Sequence, residues 1–203
     1  MISTRRPLLL GHRGARVPQV PENTQAAFDL ALRAGCDGFE FDVRSTLDQQ
    51  LVILHDPRLC GLEVSGSTYA ELQQRWEGQI IPRLPLTQRR SLNQEQLALP
   101  CLQDVIHRYG GRAFLDIELK VLGLEAAVLR VLEAHPPQNG FVISSFQREV
   151  LDNLREKDDQ VPLGLICESG RQLSLWPKLP LSFVIPHFKL ISQELIADLR
   201  GAG

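Results

Sequence analysis

The sequence has few cysteines, no long apolar run and no excess of charge of either sign. None of its 4 cysteines forms a Cys-x-x-Cys pair, so the spacing predicts neither a zinc site nor a thioredoxin-like redox pair. No apolar run approaches the roughly 18 residues of a membrane span, and the first residues lack the roughly 7–15 apolar residues of a secretory signal. A formal net charge of -2 predicts no general affinity for nucleic acid.

These absences favour a cytoplasmic protein with no membrane span, no nucleic-acid partner and free cysteines that act as small buried apolar residues. The cysteines are Cys36, Cys60, Cys101 and Cys167. With 43% hydrophobic and 23% charged residues, the composition is that of an ordinary globular protein. A chain of 203 residues can bury one sizeable core, so we expect a single domain over residues 1–203.

Short apolar runs alternate with segments of helical periodicity, which predicts a parallel sheet covered by helices. The predicted strands are Leu8–Leu10, Gly38–Val43, Leu51–Leu54, Phe114–Leu119, Phe141–Ser144, Leu163–Cys167 and Ser182–Ile185. The predicted helices are Thr24–Ala34, Cys101–Tyr109, Leu124–Ala134, Arg148–Lys157 and Gln193–Arg200. The pattern fits either a doubly wound sheet or a (β/α)8 barrel that lacks its eighth strand.

Two stretches depart from this alternation. Between Asp42 and Leu51 there are too few residues for a helical crossover, which needs about a dozen. Residues 57–99 are polar, rich in glutamine and arginine, and contain Pro82 and Pro85. We interpret this second stretch as an insertion of loops and short helices after the third strand.

Two histidines follow predicted strands directly. His12 comes after Pro7–Gly11, and His55 comes after Leu51–Leu54. The C-terminal ends of strands are where α/β folds place catalytic side chains. A histidine titrates near neutral pH, so the pair can act as general acid and base. The alternative is that each histidine is a hydrogen-bonded structural residue.

Carboxylates occupy one face of two predicted strands. Glu40 and Asp42 lie two residues apart on the second strand, and Glu118 lies on the fourth between Asp116 and Lys120. Buried carboxylates repel one another unless a cation pairs with them. The cation could be a metal ion or a basic side chain such as that of nearby Arg44.

If Glu118 converges with Glu40 and Asp42, three oxygen ligands favour Mg²⁺ or Ca²⁺ over a transition metal. Lys120 would then supply a point charge, and Arg13 a forked donor, for a bound anion such as phosphate.

Motifs along almost the whole chain resemble those of the glycerophosphodiester phosphodiesterase family. The matching segments are Gly11-His12-Arg13-Gly14, Pro21-Glu22-Asn23-Thr24, Glu40-Phe41-Asp42, Thr46-Leu47-Asp48, His55-Asp56-Pro57, Leu99-Pro100-Cys101-Leu102 and Glu118-Leu119-Lys120. The resemblance implies a (β/α)8 barrel with an insertion after the third strand. It also implies hydrolysis of a small-molecule glycerophosphodiester to glycerol 3-phosphate and an alcohol.

By matching positions, the resemblance assigns a role to each candidate residue. It implies metal ligation by Glu40, Asp42 and Glu118 and acid–base catalysis by His12 and His55. It further implies phosphate binding by Arg13 and Lys120. Glu22 either orients Arg13 or contacts the substrate.

The sequence departs from the family pattern at two places. Gln49 stands where the family usually has a glycine, which we interpret as a harmless change of turn. A last strand with a Trp-Thr-x-Asn-like motif is not found, so we expect the barrel to lack its eighth strand. The chain is then a fragment, is completed by another chain, or is poorly stable.

Two other functions remain open. A lysophospholipase D-like or sphingomyelinase D-like enzyme would use the same chemistry with a groove for an acyl chain. An inactive barrel would bind phosphodiesters or a partner without turnover. Of the remaining histidines, His107 and His135 are expected at the surface, whereas His187 follows a strand and could line the pocket.

Overall fold

The computed structural model describes residues 7–18 and 20–202, in which helices cover one face of a seven-stranded sheet. The strands are β1 (Leu10–His12), β2 (Gly38–Ser45), β3 (Leu51–Ile53), β4 (Arg58–Leu59), β5 (Leu62–Glu63), β6 (Phe114–Leu119), β7 (Phe141–Ser145), β8 (Leu163–Cys167) and β9 (Phe183–Pro186). The α-helices are α1 (Gln25–Arg33), α2 (Tyr69–Gln79), α3 (Leu86–Ser91), α4 (Gln94–Leu97), α5 (Leu102–Tyr109), α6 (Glu125–Ala134), α7 (Arg148–Lys157), α8 (Gly170–Leu173) and α9 (Gln193–Gly201).

Six strands of the large sheet run parallel in the order β1-β2-β6-β7-β8-β9. Within the described residues, β1 and β9 lie at the two ends of this order and do not pair with each other. The predicted helix Arg148–Lys157 coincides with α7, three others differ from the observed helices by one residue at one end, and Thr24–Ala34 is one residue longer than α1 at each end. Helix α8, which has only four residues, is not predicted by the sequence pattern.

The third predicted strand differs from the expectation. Segment Leu51–Leu54 was expected among the parallel strands, but β3 runs antiparallel to β2, with Val43 opposite Ile53. The short connection between them explains the difference, because it allows a hairpin but no helical crossover. Its turn places Gln49 at a φ of 62°, a left-handed conformation in which glycine is more usual.

The main core lies between the sheet and its outer helices. Phe39 stacks on Phe28 of α1 with ring centroids 4.1 Å apart, and Tyr109 of α5 meets Phe39 edge-on at 5.1 Å. Phe41 and Val43 are also fully buried in this core. Alternate side chains of β2 therefore face the helices, and Glu40 and Asp42 project from the opposite face of the sheet.

The insertion contains more regular structure than predicted. It forms the hairpin β4–β5 and the 11-residue helix α2 in addition to short helices. Thr68 begins α2 with a capping box that includes Glu71. The insertion has its own small hydrophobic core, separate from the main one. The buried members of this core are Val52, Leu59, Val64, Leu72, Trp76 and Leu99.

The four cysteines are free, as expected, although only Cys167 is fully buried and the other three are half-buried. Among the described residues, no helix is both long enough and apolar enough to cross a membrane.

Candidate active site

Three buried carboxylates meet at one end of the parallel strands. The pairing of β2 with β6 sets Asp42 opposite Glu118, and Glu40 lies two residues before Asp42 on the same face. One carboxylate oxygen from each of the three residues lies within 4.8 Å of the others. Their exposed fractions are only 8% for Glu40, 0% for Asp42 and 5% for Glu118, so their mutual repulsion is poorly screened by solvent.

Two basic side chains neutralise part of this charge. Lys120 Nζ lies 2.9 Å from Asp42 Oδ1 and 2.5 Å from Glu118 Oε1. Arg13 Nε lies 3.2 Å from Asp42 Oδ2. Burial by itself raises the pKa of Asp42, but hydrogen bonds from Lys120 and Asn23 outweigh it, so the pKa is lower than usual. Asp42 is therefore ionised and paired with Lys120 and Arg13, while the Nε of Arg44, the nearby candidate, donates to the backbone oxygen of His55.

Nearby positive groups offset the negative charge of Glu40 and Glu118 less completely than that of Asp42. Burial and the neighbouring carboxylates raise the pKa of Glu40 well above its usual value. Burial also raises the pKa of Glu118 to about 7, despite the contact with Lys120. Within the described part of the chain, Glu40 Oε1 is buried without a hydrogen-bond partner. A divalent cation would supply the missing positive charge and a partner for this oxygen, so the three carboxylates fit a metal site with oxygen ligands.

The loop after β1 wraps around Asp42. Arg13 Nη1 lies 2.7 Å from Glu22 Oε1, and the Arg13 backbone N–H donates to Glu40 Oε2 over 2.9 Å. Arg13 and Asn23 adopt left-handed backbone conformations, with φ of 54° and 58°. Gly14 follows with a φ of 80°, and a side chain at this position would clash with the backbone of α1. The strained loop thus aims Arg13 at the carboxylates.

Asn23 has a role that the sequence analysis missed. Its side chain donates from Nδ2 to Asp42 Oδ2 over 2.8 Å and is almost fully buried. The cap of α1 is instead the next residue, Thr24, whose Oγ1 accepts a hydrogen bond from Ala27 N. The Pro-Glu-Asn-Thr motif was the available signal, because Thr24 occupies the cap and the adjacent Asn23 is left to make another contact.

The two candidate catalytic histidines lie at or just after the ends of strands that run in opposite directions. His12 is the last residue of β1, and its Nε2 lies 3.7 Å from Glu40 Oε2. Burial and the charge of Arg13 lower the pKa of His12 from its usual value. His55 follows an antiparallel strand, and the residue before it, Leu54, donates its backbone N–H to the backbone oxygen of Asp42.

Two contacts fix His55. Its Nδ1 lies 2.7 Å from Asp56 Oδ1, and its backbone oxygen accepts from Arg44 Nε over 2.8 Å. A carboxylate on Nδ1 favours the tautomer with a proton there, which leaves Nε2 free to exchange a proton with a ligand.

A sequence model of the glycerophosphoryl diester phosphodiesterase family matches residues 12–194. The chain belongs to this family. Every candidate residue from His12 to Lys120 lies within the matched range, and the family resemblance predicted from the motifs is confirmed.

Individual relatives support this membership. The protein YhdW of Bacillus subtilis (strain 168) is 33% identical over 172 residues, which cover 78% of this chain and 65% of that protein. A glycerophosphodiester phosphodiesterase of Caldanaerobacter subterraneus subsp. tengcongensis is 30% identical over 177 residues, covering 80% of this chain and 68% of the relative. The matched region thus spans about two thirds of the length of these two relatives.

The fold agrees with a solved member of the family. An Oleispira antarctica phosphodiesterase, solved with its product sn-glycerol-3-phosphate, is similar with a TM-score of 0.75 and 28% sequence identity. The similarity covers 97% of this chain and 81% of the other. The predicted fold class, an incomplete (β/α)8 barrel, is confirmed, with the change that its third strand is antiparallel.

Asp116 is a further buried carboxylate, on the same strand as Glu118. It lies opposite Glu40 on β6, is buried, and accepts a hydrogen bond of 2.5 Å from Ser144 Oγ. Burial raises the pKa of Asp116 to about 6. It is not one of the three residues whose oxygens converge.

The remaining histidines lie apart from these contacts. His187 is exposed at the end of β9, where its Nδ1 accepts from the Lys189 N–H. His107 is exposed and His135 is half-buried, with their rings 6.2 Å apart. The expectation of a surface position therefore holds for His107 and only partly for His135.

Proposed function

We propose that this chain catalyses the metal-dependent hydrolysis of glycerophosphodiesters to glycerol 3-phosphate and an alcohol. The observation that carries the proposal is the convergence of Glu40, Asp42 and Glu118 beside Lys120 and Arg13. Such a site combines ligands for a cation with two fixed positive groups, which together suit a phosphodiester anion. The family of the chain and the product bound to the Oleispira antarctica relative support the same substrate class.

The three converging carboxylates are the proposed ligands of a single divalent metal ion. Because all their donor atoms are oxygens, Mg²⁺ and Ca²⁺ are the best-suited ions. When bound, such an ion supplies a Lewis acid that offsets negative charge on the phosphoryl oxygens.

Two basic residues are proposed to bind the phosphate. The guanidinium of Arg13 offers a forked set of donors, and Glu22 holds it in place through the 2.7 Å contact. Lys120 adds a point charge from the other side of Asp42. Both groups stabilise charge that grows on the phosphoryl oxygens during the reaction, which is usually the largest catalytic contribution.

His12 and His55 are the proposed acid–base pair. One accepts the proton of the attacking hydroxyl, which belongs either to water or to the glycerol 2-position. In the second route the alcohol leaves as a cyclic phosphate forms, and water then opens that cyclic phosphate to glycerol 3-phosphate. The other gives a proton to the leaving alkoxide, so that the ester bond breaks without releasing a strong base. The free Nε2 of His55 and the Nε2 of His12 beside Glu40 are the atoms available for these transfers.

The test is an assay of glycerol 3-phosphate release from glycerophosphocholine by the purified chain. We expect release with added Mg²⁺ or Ca²⁺, loss of release with EDTA, and loss in the His12→Ala variant. A folded chain that binds the diester without hydrolysing it in either metal would instead support the inactive barrel. EDTA-resistant hydrolysis would contradict the metal-dependent mechanism.

A further inference from the structure

A pocket of about 280 Å³ lies beside His55, between the loop that precedes α1 and the insertion. Much of its wall is apolar. The apolar lining residues are Pro21, Leu54, Leu59, Cys60, Trp76 and Ile80. Leu59 and Trp76 belong to the small core of the insertion, against which Leu54, Cys60 and Ile80 also pack. The insertion therefore supplies much of the wall of a pocket that borders a candidate catalytic residue.

The charged side chains that line this pocket are already paired. Glu22 contacts Arg13, and Arg58 Nε donates to Glu63 over 2.6 Å. Asp56 contacts the ring of His55. The one amide in the wall is likewise engaged, since Asn23 donates to Asp42. A ligand in the pocket would thus find its new contacts chiefly with carbon atoms.

We propose that this pocket binds the aliphatic part of the alcohol that is esterified to the phosphate opposite glycerol. The inference rests on the hydrolysis proposed above, because it assumes a phosphodiester held at the carboxylates. Glycerol carries two free hydroxyl groups, and polar groups buried without hydrogen bonds are costly. An alkyl chain instead gains from leaving water, so the apolar wall favours the alcohol over glycerol.

The size of the pocket limits the alcohol. Sites for drug-sized ligands measure about 300–1,000 Å³, and this pocket lies just below that range at about 280 Å³. It therefore suits a short aliphatic chain on the alcohol.

The experiment measures kcat/KM for glycerophosphodiesters whose alcohol is methanol, ethanol, propanol, butanol, hexanol or dodecanol. Burial of each methylene is worth about 0.8 kcal/mol, or about fourfold in kcat/KM. We expect this increase over the short alcohols and a plateau or a fall once the pocket is full. A kcat/KM that does not depend on chain length would overturn the inference.

Two neighbouring residues provide a matched pair of variants. Ile80 and Ile81 are both half-buried and both pack against the small core, but only Ile80 lines the pocket. In Ile80→Trp the added ring occupies space in the pocket, so the optimum should move to a shorter alcohol. The Ile81→Trp variant should keep the wild-type optimum. Equal chain-length profiles in the two variants would contradict the assignment of the pocket.

The outcomes separate this inference from the proposed function. If the folded wild-type chain hydrolyses none of the diesters in the presence of metal, the proposed function fails and the pocket inference fails with it. If it hydrolyses all of them at equal kcat/KM, only the pocket inference fails. If a tryptophan variant does not fold, as judged by circular dichroism, the dependence of the wild-type kcat/KM on alcohol chain length still tests the pocket inference.

Discussion

The carboxylate cluster and the insertion are built in different ways. Glu40, Asp42 and Glu118 project from strands β2 and β6, whose backbone register fixes their relative positions. The insertion packs around Trp76 in a small core of its own, and a polar contact between Gln96 and Asp29 of α1 links it to the barrel helices. The difference suggests that the reaction chemistry depends on the sheet, whereas the shape of the neighbouring pocket can change with the insertion alone.

The largest effect is expected when one carboxylate of the cluster is replaced. Glu118→Gln should reduce activity at least about a thousandfold, because a bound metal ion contributes several kcal/mol to transition-state stabilisation. It should also abolish the rise in Tm that Mg²⁺ or Ca²⁺ causes. Asp116→Asn is the matched control, since Asp116 is buried on the same face but lies outside the converging group. A Tm rise that disappears in the control and persists in Glu118→Gln would reverse the assignment.

Removing a histidine should have the next largest effect. His12→Ala and His55→Ala should each lower kcat by about 100- to 10,000-fold, the usual contribution of a general acid or base. Metal-induced stabilisation should remain, because neither histidine belongs to the carboxylate group. His187→Ala serves as the control at another strand end and should leave kcat unchanged. The measurement is steady-state kinetics with saturating metal. A kcat of His187→Ala as low as that of His12→Ala would contradict the assignment of the acid–base pair.

A core substitution in the insertion should affect stability more than chemistry. Trp76 is 5% exposed, and its Nε1–H donates to the Leu97 oxygen over 2.6 Å. Trp76→Ala should cost about 3–5 kcal/mol of stability, measured as faster amide hydrogen exchange across residues 57–99. Exchange in β2 and β6 should change little. Trp176→Ala, which perturbs the main core instead, should leave exchange in the insertion as in the wild type.

The smallest expected effect concerns the link between the two regions. Burial opposes ionisation of Asp29 and by itself would raise its pKa. Hydrogen bonds from Gln96 and Tyr109, together with the charges of Arg108 and Arg112, outweigh burial, so the pKa of Asp29 lies below the usual 3.8. Asp29→Asn should cost about 1–3 kcal/mol at pH 7.

The sign of the pH dependence follows from this lowered pKa. The contribution of ionised Asp29 is fully present above pH 3.8 and is lost as the pH falls through the lower folded-state pKa. Urea unfolding of wild type and Asp29→Asn should therefore converge in acid. A difference in stability that stays constant from pH 7 to pH 2.5 would exclude an electrostatic role for Asp29.

Much of the site could be predicted from periodicity alone. The alternation in Gly38–Val43 determined that Phe39 and Phe41 pack on helices while Glu40 and Asp42 share the other face, and the structure agrees. Strand periodicity does not reveal strand direction, however. The antiparallel course of β3 depends on hydrogen bonding with β2, and the short connection was the only sequence signal for it.

The sequence by itself determined the family, the bounds of the five predicted helices to within one residue at each end, and the shared face of Glu40 and Asp42. It could do so because capping, hydrophobic periodicity and motif spacing are local properties of the chain. Only the tertiary structure decided that Asn23 binds Asp42, that Lys120 bridges two carboxylates and that Ile80 lines a pocket beside His55. These contacts join residues on different elements, and their distances depend on how those elements pack.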